Sequence, residues 1–421
     1  MSFESFASAH STILWLGFII AFIMGAVATK TNFCTMGAVS DLVNMGDSGR
    51  IRAWLLAMAV AMIGVTIVES MNILTVDVTR PPYRGSNFAW LEYVIGGIMF
   101  GVGMTLGSGC GNKTLIRMGG GNLKSIVLFS VIAICAYFMV NPFPGTDMTI
   151  YSEVFYKWTN TATVSLAGKQ DLGSLIGGNA GVDVSTLRMA LGLIIGIALI
   201  AFVFRSAEFR STRDNIVAGI VIGLCVLGAW YVTGGMGNIN IDGESYSWTS
   251  YASNDNWSML EEGTRPDGVA VQSYTFINPI GETLGYALSG FDANAFTFGL
   301  SALFGIIAGA LFWSLVSKSF RIEWFVDFKD FLTHVIGGIL MGVGGILALG
   351  CTIGQAITGV STLALGSFIA FGSIVLGSAL TMKIQYYKLV YEEEATFFKA
   401  LITALVDLKL LPSGLRQLDA V

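Results

Sequence analysis

Three of the five cysteines stand in polar, glycine-rich surroundings: Cys34 in Thr-Asn-Phe-Cys-Thr, Cys110 in Gly-Ser-Gly-Cys-Gly-Asn-Lys and Cys351 in Leu-Gly-Cys-Thr-Ile-Gly. Cys135 and Cys225 lie inside unbroken apolar runs, where a cysteine behaves as a small hydrophobe. A thiol is a weak, polarizable donor and acceptor. By the softness matching that governs metal ligation, it suits a soft, sulfur-bearing ligand better than a hard oxyanion. Polar neighbours could take the oxygens of such a ligand, and the candidates are Thr35, Ser108, Asn112, Thr352 and Gln355. A metal centre fits less well, because the three cysteines are far apart, with no CxxC and no nearby histidine. The run GSGCGNKT (107–114) looks like a phosphate loop, but Asn112 takes the second glycine position and the run follows an apolar span. No metal and no cofactor are expected.

The elements that must position these residues are set by composition. The chain has 421 residues, of which 54% are hydrophobic and only 12% charged. Its mean hydropathy is +0.69. Such a chain is neither disordered, nor a nucleic-acid binder, nor an ordinary soluble enzyme. Apolar runs long enough to cross a bilayer fall at about 11–29, 53–73, 88–107, 123–141, 186–205, 214–233, 292–316, 331–350 and 363–383. The short basic connections 205–214 and 317–330, and the segments with Arg50, Arg52, Lys113, Arg117 and Lys124, are expected on the cytoplasmic side. The longer polar segments 142–185 and 236–276 are expected outside, with Arg80 and Arg84 as basic residues on the unexpected side. The N-terminus is then outside and the C-terminus inside. The first run lacks a basic leader and reads as a retained span. Trp15, Trp54, Trp90 and Trp324 lie near span ends, as interfacial anchors would.

A repeat organises the spans. VIGGIMFGVGMTLGSGC (94–110) and VIGGILMGVGGILALGC (335–351) agree at 11 of 17 positions. TNFCTMG (31–37) aligns more weakly with TFINPIG (275–281), which sets Cys34 opposite Asn278. MGAV (24–27) and LGAW (227–230) match over a shorter stretch. The first repeat is 1–141 and the external loop 142–185 follows it. The linker span is 186–213, the second repeat 214–383 and the cytoplasmic tail 384–421. Four spans plus the linker make an odd number of crossings, so the second copy is reversed, a common transporter design. Segments 33–46, 111–125, 277–290 and 352–367 are too short to cross and read as helices that dip in and return, one pair from each side. Broken backbone at that depth survives only where protein or a wet path satisfies it. The recurrent glycines of the matched spans read mainly as close helix packing. Lys113 and Arg117 are either face charges or draw an anion towards its exit. Asp41 and Glu282 would repel an anion and are expected at aqueous ends, while Glu69, Glu92 and His334 are expected at the interface.

TNFCTMGAVSD, GSGCGNKTLIRMGGGNLKS and GGILMGVGGILALGCTIGQAITGVSTLALGS resemble motifs of the YeeE/YedE family of sulfur-compound transporters. The resemblance implies an all-α polytopic membrane protein of the bacterial inner membrane, with nine transmembrane helices and four short re-entrant helices in an inverted repeat. It implies uptake of thiosulfate, or a related small sulfur anion, past Cys34, Cys110 and Cys351, with Cys110 as the central contact. Transient S–H···S contacts with successive thiols would carry it. The implied partners are that anion, membrane lipid and a cytosolic TusA-like sulfurtransferase. Family members assigned to selenium compounds make a selenium solute the alternative. A second alternative is a membrane sulfurtransferase that keeps the sulfane sulfur as a cysteine persulfide.

Overall fold

The computed structural model describes residues 2–181, 183–241, 243–253, 257–259, 264–392 and 394–419. Among them are nine helices long and apolar enough to span a membrane. In chain order the long helices and the short ones that pack among them, leaving aside the helices of the connections, are α1 (Phe6–Lys30), α2 (Thr35–Ser40), α3 (Gly49–Ser70), α4 (Trp90–Leu106), α5 (Gly111–Gly119), α6 (Leu123–Val140) and α7 (Val184–Phe204). There follow α8 (Arg213–Gly234), α9 (Ile277–Leu288), α10 (Phe298–Val316), α11 (Phe328–Leu347), α12 (Leu365–Val390) and α13 (Phe397–Asp407). A π-helical turn, Asp41–Met45, continues α2, and another, Ile353–Gly359, lies between α11 and α12. The chain is an all-α polytopic membrane protein. Its last long helix runs past the expected end at 383 to Val390, and the segment after it folds back so that α13 packs on α12.

Contacts between helices come in matched pairs. α1 packs on α10 as α8 packs on α3, and α4 on α12 as α11 on α6. The short elements obey the same exchange: α9 packs on α6 as α2 on α12, and α5 on α10 as the π turn Ile353–Gly359 on α3. α4 crosses α11 and α1 crosses α8 at the centre of this exchange, while α7 packs outside it on α3.

The α4–α11 crossing explains the shared glycines. A Cβ added at Gly103 would lie 2.6 Å from the Gly337 carbonyl oxygen, and one at Gly344 2.7 Å from the Gly96 carbonyl oxygen. The two backbones therefore touch, which only glycine permits, and dispersion between close backbones replaces the hydrophobic drive that lipid does not supply. Both spans then break at the same repeat position. Ser108 (φ 57°) and Leu349 (φ 56°) adopt the left-handed conformation. A second matched break follows at Gly121 (φ 93°) and Leu363 (φ 61°). Non-glycine residues enter this region at a cost of about 1–2 kcal/mol, so surrounding packing must hold Ser108, Leu349 and Leu363 there.

The segments joining α3 to α4 and α6 to α7 are fastened to one another by charge. Arg84 is buried, and its Nη1 and Nη2 donate to Glu69 at 2.5 and 2.9 Å. Its Nη1 also meets Asp77 at 3.1 Å and its Nε donates to the Thr362 carbonyl at 2.9 Å. Arg188 grips Asp171 through Nε and Nη2, at 2.9 and 2.8 Å, and reaches Asp77 at 3.0 Å. Lys169 also pairs with Asp77. Arg84 and Glu69 thus form a bidentate pair, and Glu69 is a network member rather than a free interfacial group. Burial pushes the Asp171 carboxyl up, but hydrogen bonds from Arg188 and Ser174 outweigh it and hold the group down to about 2. Burial likewise pushes Asp77 up, and Lys169, Arg188 and Arg84 together bring it below the usual carboxylate range.

Two outcomes follow from these contacts. Both carboxyls titrate lower folded than unfolded, so their stabilisation is complete above about pH 4. It is lost as the pH falls towards the folded value of about 2. Thermal unfolding should show this acid limb in the wild type. Asp171→Asn should shrink the limb and lower stability at neutral pH by about 3–5 kcal/mol, the cost of leaving one member of a buried pair alone. Gly103→Leu drives a side chain into the α11 backbone, and size-exclusion profiles in detergent should show loss of the monodisperse species.

Candidate functional site

Each of the three polar-context cysteines sits at the start of a short helix just past a chain break. Cys34 caps the N-terminus of α2 and Cys110 that of α5, both with extended backbone, and Cys351 immediately precedes the turn beginning at Thr352. Their relative exposures are 6%, 1% and 0%. Cys110 lies within electrostatic reach of both Cys34 and Cys351, and the Thr352 hydroxyl and Lys113 backbone N–H face it. The Cys351 sulfur is faced by the backbone N–H groups of Gly354, Phe276 and Ile353 and by the Thr275 hydroxyl. The folded chain therefore gathers residues 34, 110 and 351 into one buried cluster. Cys225 is buried inside α8 and Cys135 lies half-buried on α6.

The polar side chains around the cluster are mostly unpaired. Thr35 Oγ1, Asn112 Oδ1, Thr352 Oγ1 and Gln355 Oε1 are buried atoms with no hydrogen-bond partner among the described residues. These are four of the five oxygen-contact candidates. The Gln355 amide nitrogen donates to the Ala348 carbonyl, which aims its oxygen away from that contact. Ser108, the fifth, is half-buried, and its left-handed turn presents its carbonyl to Arg117 Nη1 at 2.9 Å. Buried polar groups are almost always paired, so a group of exceptions beside three thiols marks a place built for something other than stability.

Sequence reasoning missed further members. Thr275 Oγ1 and Tyr83 Oη are buried and unpartnered, and so is Trp54 Nε1. Trp54 was expected at the membrane interface. It is instead 1% exposed and stacks on Phe33, next to Cys34, at 4.4 Å. Thr275 opens TFINPIG and could have been found from that match. Tyr83 lies in a proline-rich connection with no repeat counterpart to point to it.

The charged residues of the dipping segments are neutralised rather than exposed. Asp41 is 5% exposed and pairs with the partly exposed Arg50 at 2.7 Å. Arg50 Nη1 also overlies Gly37, in the first turn of α2. Glu282 on α9 accepts from Arg80 at 3.0 Å, Asn278 at 3.1 Å and Thr297 at 2.6 Å. These four line a cleft of about 410 Å³ together with Tyr137 and Tyr286. Glu92 is buried and accepts from the Tyr151 hydroxyl at 2.7 Å. His334 is buried too, with Nδ1 2.8 Å from the Asp330 carbonyl. Glu92 is met by a residue of the α6–α7 connection, and His334 by a carbonyl one turn earlier in its own helix.

Comparison with known proteins places the chain among relatives. A family model described as sulphur transport matches residues 30–380, which include all three clustered cysteines. The thiosulfate transporter TsuA of Escherichia coli (strain K12) is 25% identical over 370 residues, covering 86% of this chain and 91% of that protein. The thiosulfate transporter TsuA of Spirochaeta thermophila is 24% identical over 372 residues, covering 87% of this chain and 97% of that protein. With most of its length inside the family match, and its clustered cysteines among the matched residues, the chain belongs to the sulphur transport family.

Proposed function

We propose that the protein carries thiosulfate, or a closely similar small sulfur anion, inward across the bacterial inner membrane along a path lined by Cys34, Cys110 and Cys351. The observation that carries this reading is the position of Cys110 within reach of both other thiols, amid buried polar atoms without partners. A dianion at the bilayer centre is prohibitively costly unless oriented dipoles replace its water. The N-terminal turns of α5 and α9 offer backbone N–H groups of the right sign. Thr35, Asn112, Thr352 and Gln355 take the sulfonate oxygens, and the thiols pass the terminal sulfur along by weak contacts. Weakness is essential, because a tight site would trap the solute.

The orientation of the chain in the membrane rests on charge. In the proposed topology, Arg80, Arg84, Lys157, Lys169, Arg188 and Arg265 are the cations of the outer face, and the remainder of the 23 Lys and Arg belong to the inner face. This is the bias expected of a membrane protein with its C-terminus in the cytoplasm. The two outer arginines that looked misplaced, Arg80 and Arg84, are each held by carboxylates. The exchange of helix contacts supports two oppositely oriented repeats, with α2 and α5 dipping from the inner face and α9 and Ile353–Gly359 from the outer. A cytosolic TusA-like sulfur carrier would receive the anion at the basic inner face, beside Arg50, Lys113 and Arg117.

Purified protein in proteoliposomes should take up thiosulfate labelled on either sulfur atom at equal rates. Uptake of only the sulfane label, with sulfite left outside, would instead mark a sulfurtransferase. Cys110→Ala should lower uptake at least tenfold without loss of folded protein. Thr352→Val removes a hydroxyl that faces the Cys110 sulfur and has no oxygen or nitrogen partner among the described residues. It should leave the melting temperature unchanged or raised, while uptake falls about tenfold or more through loss of a hydrogen bond to a charged ligand.

A further inference from the structure

Tyr83 is the buried group that this mechanism leaves unused. It lies between α3 and α4, is 2% exposed, and its phenolic oxygen has no partner among the described residues. Burial drives the phenol well above its ordinary range, so it remains a protonated donor. It lies within electrostatic reach of Cys351. Its ring rests on Gly359, where an added Cβ would fall 2.9 Å from Tyr83 Cδ1. The Trp230 ring stands nearly perpendicular to it, at 6.4 Å.

The neighbouring residue fixes this placement. Arg84 is locked to Glu69 and Asp77, and its Nε holds the Thr362 carbonyl, three residues beyond Gly359. Tyr83 is therefore tied by charge to the turn that follows Cys351 and has no freedom to swing its hydroxyl to water. Thr275 Oγ1, the other unpartnered hydroxyl missed by the sequence, flanks the same turn, 3.2 Å from a Cβ built on Gly350. A donor held dry without an acceptor is costly. Here a buried ion network holds it in place.

We propose that Tyr83, with Thr275, forms an oxygen-recognition site at Cys351: the phenolic O–H donates to a sulfonate oxygen while the terminal sulfur of the same anion lies against the thiol. The site would then require a solute with hard oxygens and a soft sulfur together. This inference rests on the transport reading above and assigns the oxyanion specificity of that path.

Tyr83→Phe in the full-length protein tests it, because it removes one oxygen and keeps the ring. The half-saturation concentration for thiosulfate uptake into proteoliposomes should rise about ten- to a hundredfold, the loss expected for one hydrogen bond to a charged group. The melting temperature without ligand should stay level or rise, since no protein partner is lost, and the stabilisation given by added thiosulfate should shrink. Thr275→Val should move the half-saturation concentration in the same direction. Wild-type uptake with a half-saturation concentration within twofold in Tyr83→Phe would overturn this proposal alone. A drop in ligand-free melting temperature would show a structural hydroxyl and overturn it as well. Failure of the wild type to take up thiosulfate would overturn the transport reading and this site with it.

Discussion

Backbone broken within an apolar bundle must be satisfied by protein, and most of this architecture follows from that constraint. The chain leaves helical geometry at Ser108 and Leu349 and again near Gly121 and Leu363. At the first pair the backbone N–H groups turn back on the preceding helical turn, and at the second pair distant chain supplies the missing bonds. The Gly120 carbonyl accepts from Arg321 N–H at 3.0 Å and Leu123 N–H donates to Glu323. At the matching turn Gln170 and Leu363 do the same, with Leu365 N–H donating to the Gln170 carbonyl and Leu172 N–H to the Leu363 carbonyl. Short helices can therefore exist where a full crossing cannot, and each cysteine of the cluster stands at the head of one.

The polar connections are structural parts of the site rather than ornaments on it. The segment carrying Asp171 meets the break at Leu363 through its backbone and meets Arg188 through its carboxylate. Arg84 joins that network to Thr362. The left-handed turn at Leu363 is thus tied to this ion network through Thr362 and Asp171. A buried ion network is weak support for stability by itself. Its value here is geometric, since it fixes the turn after Cys351 relative to α3.

Pairing is uneven across the interior. Ser361, Thr362 and Thr114 each close a local hydrogen bond to a backbone carbonyl and hold their turns in shape, and Thr358 donates to the distant Tyr274 carbonyl. The side-chain oxygens of Thr35, Asn112, Thr275 and Thr352 have no such partner among the described residues. The paired ones hold the broken helices in shape, and of the others Thr352 faces the Cys110 sulfur and Thr275 the Cys351 sulfur.

Much of this was legible in the amino-acid order. Apolar runs place the spans within a few residues, because bilayer thickness fixes their length. The glycine register of 94–110 and 335–351 exposed the duplication, and polar context separated Cys34, Cys110 and Cys351 from Cys135 and Cys225. What the order of residues could not settle was which polar groups would find partners. Asp41, Glu92 and His334 became buried because Arg50, Tyr151 and the Asp330 carbonyl came to them, and Trp54 left the interface to stack on Phe33. Tyr83 reaches the site only through contacts that bring 69, 84, 188 and 362 together. Local sequence determines length, periodicity and breaks. Which side chains meet is decided only when the helices pack, and that selects which buried polar atoms are left without a partner among the described residues.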